Sequence, residues 1–87
     1  QKHVYIVSVG KEQNELGAKT LQGFSEVEAV EVIDQGENVK VTLRDGHEDG
    51  SFLAERLIHG GFKLRAFKEE EIDLEDVFMG ITKGITN

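Results

Sequence analysis

The chain contains no cysteine and no proline, and each absence closes off a class of answer. Without cysteine there is neither a disulfide framework nor a thiolate metal site, which fits a reducing compartment. Without proline, nothing stops a helix or removes a ladder hydrogen bond from a central strand. Long hydrophobic runs are missing too. No stretch approaches the roughly 18 apolar residues of a membrane span, and no signal-peptide layout is present, so no direct membrane insertion is expected. Cationic side chains are scarce: ten Lys and Arg stand against seventeen Asp and Glu, a formal charge of -7. Nucleic-acid binding rests on neutralising phosphates, so no nucleic-acid partner is expected, and anionic lipid is disfavoured for the same reason.

Methionine occurs once, at Met79, and the chain opens on Gln1. An intracellular start would read Met, and its removal before so large a residue is unusual. The 87 residues are therefore expected to be a single domain, 1–87, excised from a longer protein. A chain of this size builds one packed core, with little left over for a separate enclosed active site.

What is present reads as alternating strands and helices. Residues 3-HVYIVSV-9 form a nearly continuous apolar, β-branched run, the pattern of a central strand covered on both faces. In 12-EQNELGAKTLQGF-24 the period lengthens, and Leu16, Leu21 and Phe24, with Thr20 between, share a helical face. Gly17 lowers helix propensity and Gly23 helps to stop the element. Residues 26-EVEAVEVID-34 read as a strand whose alternation slips near Ala29 and Val30, the mark of a bulge. Turn chemistry at 35-QGEN-38 leads to 39-VKVTLR-44, where Val39, Val41 and Leu43 point inward. A second helix follows over 51-SFLAERLIH-59, burying Leu53, Leu57 and either Ala54 or Ile58, with Gly60 and Gly61 as a left-handed stop. Residues 62-FKLRAFK-68 then read as a fourth strand with Phe62, Leu64 and Ala66 on one face. Its Lys63, Arg65 and Lys68 suit a sheet edge. This order predicts an α+β fold, a ferredoxin-like βαββαβ sandwich with an additional C-terminal helix.

Chemistry is harder to find. The loop 45-DGHEDG-50 begins like a calcium loop, but the twelfth position, where a bidentate glutamate is needed, is Arg56. The loop reads instead as a polar connection in which Asp49 or Ser51 caps the following helix. His3, His47 and His59 share no ligand spacing, and His59 suits a helix C-terminus. The acidic run Glu69, Glu70, Glu71, Asp73, Glu75 and Asp76 has the look of a solvated connection, not of paired acid–base carboxylates. Ser8, Ser25 and Ser51 lack a nucleophile-elbow context, and no phosphate-binding loop is present. The expectation is a non-catalytic module with no catalytic residue, no cofactor and no metal site of its own.

The last segment, 72-IDLEDVFMGIT-82, starts as a well-specified helix. Asp73 is a good N-cap, Glu75 and Asp76 place negative charge in the first turn, and Ile72 with Val77 makes a hydrophobic staple. Leu74, Val77, Phe78 and Ile81 recur at helical spacing, while Gly80 keeps the element short. Leu74, Val77 and Phe78 are the candidate interaction residues, turned either onto the domain's own surface or toward a partner. The run 74-LEDVF-78, followed by Thr82, resembles the ending of the C-terminal accessory domain of ABC-transporter ATP-binding subunits. Over the rest of the chain the resemblance is one of element order, and 79-MGI-81 departs from the leucine-rich helix end usual in that family.

The resemblance implies a dimerisation or regulatory role within a longer ABC-type ATPase. That parent would couple ATP hydrolysis to transport at the cytoplasmic face of a membrane. Its ATP and magnesium would belong to the preceding ATPase domain. The implied partners are that domain, a second copy of the subunit and, through the parent, a transmembrane permease. The alternative is a free-standing small-molecule-sensing regulatory module of ferredoxin-like fold.

Overall fold

The computed structural model describes residues 2–70, so the C-terminal helix expected over 72–82, with Leu74, Val77 and Phe78, lies outside the described residues. Within them the elements are β1 (Val4–Ser8), α1 (Asn14–Gln22), β2 (Val27–Ile33), β3 (Asn38–Leu43), α2 (Ser51–His59) and β4 (Ala66–Glu70). The four strands form one antiparallel sheet in the order β2-β3-β1-β4. This is a small α+β architecture compatible with the expected ferredoxin-like arrangement.

Strand β1 is central, as its apolar run requires, and four of its five residues are buried. Its register sorts the sheet into two faces. Tyr5 pairs with Val41 and Val7 with Val39, while Val30 and Val32 of β2 lie opposite the same two valines of β3. On this face Tyr5, Val7, Val9, Val27, Val39, Val41 and Leu43 join Ala18 and Leu21 of α1 and Leu53 and Leu57 of α2 in one core. Both helices therefore cover the same side. Leu21, Leu43, Leu53 and Leu57 are fully excluded from solvent, and each contributes on the order of 2 kcal/mol of apolar burial.

The slip expected in the second strand is present as a register shift between Val27 and Ala29. The hairpin turn itself, Asp34–Gly36, is left-handed at three consecutive residues, with φ of 53°, 56° and 93°. Asp34 is held there by Asn38, whose side-chain amide donates to its carboxylate at 2.7 Å.

Two expectations are corrected, in α1 and β4, and one open choice, in α2, is resolved. Leu16 is 55 % exposed. The buried stripe of α1 is Asn14, Gly17, Ala18 and Leu21, because Gly17 has no side chain and lets the helix settle close to β1. A β-carbon there would stand 3.0 Å from a Val9 methyl. In α2 the open choice resolves to Ala54, half-buried, over Ile58, which is 55 % exposed. The fourth strand starts at Ala66 instead of Phe62, where Ser8 pairs with Ala66 and Val7 with Phe67. Alternation from that start puts Phe67 on the core side, stacked on Tyr5 at 5.4 Å between ring centroids, and leaves Ala66 exposed on the other. Phe62 and Leu64 still pack against the core, from irregular backbone after the Gly61 stop at φ 93°. β4 is an edge strand, but of the charges expected there only Lys68 lies in it, while Lys63 and Arg65 precede it.

Candidate functional site

The loop 45-DGHEDG-50 is organised around a tyrosine. The Tyr5 hydroxyl accepts the Gly50 N–H at 2.8 Å and donates to the Glu48 carbonyl at 3.2 Å. Gly50, and not Asp49 or Ser51, is the N-cap residue of α2. A side chain at that position has nowhere to go: a β-carbon would fall 2.4–2.8 Å from three atoms of the Tyr5 ring. Asp49 instead accepts the Ser51 N–H at 2.9 Å, and that hydrogen bond holds its carboxyl below the usual range. Asp45 turns away to pair with Lys2, which also binds Glu28. Asp45 and Asp49 are thus committed to different partners. Among the described residues no set of three His, Cys, Asp or Glu side chains is arranged to hold a metal ion.

The histidines are likewise dispersed. His3 contacts Glu69 across the β1–β4 pair at 3.1 Å, His47 lies in the loop and His59 ends α2. Of the acidic run, Glu69 and Glu70 belong to β4, and the remainder lies outside the described residues.

Two polar constructions were not legible in the sequence. Asn14 is completely buried at the start of α1. Its side-chain oxygen accepts the Val9 N–H at 2.8 Å, and its amide donates to the Gly36 carbonyl at 2.8 Å and to Ser8 Oγ at 3.4 Å. One side chain thereby joins the β1–α1 loop to the β2–β3 turn. The second construction is Glu26 with Arg56, which meet through two parallel hydrogen bonds of 3.0 Å. The guanidinium also lies over the rings of Phe24 and Phe52, at 4.6 and 4.7 Å from their centroids. Such a planar fork between aromatic faces is a geometry that lysine cannot reproduce. Hydrogen bonding to Arg56 draws the Glu26 carboxyl down to about 2.

The remaining surface with a distinct character is the sheet face opposite the helices. It presents Val4, Ile6 and Ser8 from β1, Lys40 and Thr42 from β3, and Lys68 and Glu70 from β4. Beside the bulge, a recess of about 110 Å³ is lined by Ala29, Val30, Glu31, Lys40 and Thr42. Drug-sized ligand pockets run to roughly 300–1,000 Å³, so this recess suits a side chain better than a ligand. The alternation of 39-VKVTLR-44 already assigned Lys40 and Thr42 outward. The sequence could not show that Lys68 would stand in the same row.

No family model matches the chain, and no curated protein matches it. Among the described residues no helix is long and apolar enough to cross a membrane.

Proposed function

We propose that this chain is the C-terminal accessory domain of an ABC-type transport ATPase, acting in subunit dimerisation or regulation and not in catalysis. The observation that carries this reading is the ending 74-LEDVF-78 with Thr82, which follows an α+β module described through Glu70. The order β1-α1-β2-β3-α2-β4, with both helices on one face, supports the finer fold assignment: a ferredoxin-like sandwich extended by a C-terminal helix. In this role Leu74, Val77 and Phe78 are interaction residues, turned either onto the domain's own surface or toward a partner. ATP and magnesium are handled by the preceding domain, the partners are that domain and a second subunit, and the location is the cytoplasmic face of the membrane beside a permease.

The polar groups described above favour this role over a reaction. Glu26, Arg56, Asn14, Asp45 and Asp49 are each spent on holding elements together. An interaction module needs rigid elements behind its surface, and these contacts provide them.

The test is to purify the parent with and without residues 1–87. Nucleotide hydrolysis is expected to persist in the shortened protein, while its self-association or its control by the transport partner changes. Hydrolysis by the isolated 87-residue chain would contradict the reading. So would a shortened parent indistinguishable from the intact one in both assembly and control.

A further inference from the structure

Strand β1 is apolar on both sides, yet among the described residues α1 and α2 cover only one. The side opposite these helices is organised in rows that the register makes explicit. In one row Glu31 lies opposite Lys40, Lys40 opposite Ile6, and Ile6 opposite Lys68. In the next, Ala29 lies opposite Thr42, Thr42 opposite Val4, and Val4 opposite Glu70. Ile6 is thus flanked by lysine on both neighbouring strands. Val4 is only 5 % exposed, as buried as Val9, but it stands outside the core that the helices close. Among the described residues the ion pairs are those of Lys2, His3, Lys11 and Arg56; neither Lys40 nor Lys68 belongs to one.

We propose that this face is the docking surface for residues 71–82 of the same chain, through apolar contact on the half-buried Ile6, beside Val4, and acidic side chains against Lys40 and Lys68. Three observations fit this occupant. The described chain ends at Glu70, directly across from Val4 and at the margin of the face. The segment's composition complements the surface: Glu71, Asp73, Glu75 and Asp76 for the lysines, and Ile72, Val77, Phe78 and Ile81 for the apolar column and the recess. Its reach is also sufficient. Crossing from β4 to β2 takes three strand spacings, roughly 14 Å, and ten residues wound as the helix expected from the sequence extend about 15 Å. A second copy of the chain offers its own surface only at its free concentration. The tethered segment is held beside the face at an effective concentration on the order of millimolar, which favours the internal partner.

The absence of native cysteine permits a direct test on the full 87-residue chain. A nitroxide on Met79→Cys is expected to broaden the amide signals of Ile6, Lys40, Thr42 and Lys68 more than those of Leu16 in α1 or Ile58 in α2. The effect should be independent of protein concentration. The double substitution Lys40→Glu with Lys68→Glu, on an outward face, should reduce that broadening at least twofold without loss of the folded spectrum. Broadening centred on the helices, its absence, or its appearance only between labelled and unlabelled molecules would overturn the proposal. A double variant that broadens as strongly as the native face would overturn its electrostatic part.

Discussion

At residue 50 the Tyr5 ring leaves no space for a β-carbon, and at residue 14 a buried amide satisfies three separate groups. Both sites trade freedom of sequence for fixed geometry. Gly50→Ala must displace a ring that is stacked on Phe67 and hydrogen-bonded to the loop, so it should destabilise the chain by about 1–3 kcal/mol. Tyr5→Phe keeps the ring but strands the Gly50 N–H, at a cost of about 1–2 kcal/mol. Asn14→Ala leaves the Val9 N–H and the Gly36 carbonyl without their partner and should cost about 2–4 kcal/mol. Urea unfolding monitored by circular dichroism measures all three. Values for Asn14→Ala near zero would mean that the buried amide does not join the two loops. None of these roles was visible beforehand. Each role depends on a residue distant in sequence, Gly36 for Asn14 and Tyr5 for Gly50.

Between elements, the Glu26–Arg56 pair ties the entrance of β2 to the middle of α2. The Glu26 carboxyl titrates near 4.5 when unpaired and at about 2 in the fold. A depressed carboxylate stabilises the fold above its unfolded value, and that contribution is lost as pH falls from about 4.5 toward about 2. Glu26→Gln should therefore flatten the acid limb of the melting temperature between those values, with little change in the slope above pH 5. A wild-type acid limb that the substitution leaves unaltered would contradict the assignment. Arg56→Lys should lower the melting temperature almost as far as Arg56→Ala, since it loses both the fork and the stacking. At the hairpin turn, Gln35 holds a left-handed backbone that glycine adopts freely. Gln35→Gly should stabilise by roughly 0.5–1 kcal/mol, read from the denaturation midpoint.

Element existence and order were legible from the sequence because period and punctuation agree with packing for β1, β2, β3 and α2. Two local readings failed for a common reason. In α1 and β4 the true contact surface is set by a close approach, at Gly17 against Val9 and at Phe67 against Tyr5, which hydrophobic spacing does not encode.

Over the whole molecule, the two faces of the sheet divide the account. The helix-covered face was readable as the inward residues of alternating strands. The opposite face emerged only when the register set Ile6 between Lys40 and Lys68. The proposed role in a transport ATPase rests on Leu74, Val77, Phe78 and Thr82, whose pattern is a property of the sequence alone. The most direct measurement is the coding sequence upstream of Gln1. The account predicts a G-x-x-x-x-G-K-[ST] phosphate-binding loop and a Leu-Ser-Gly-Gly-Gln signature in the same reading frame, within about 250 residues, the upper size of a typical domain. A parent frame that contains neither motif would contradict it.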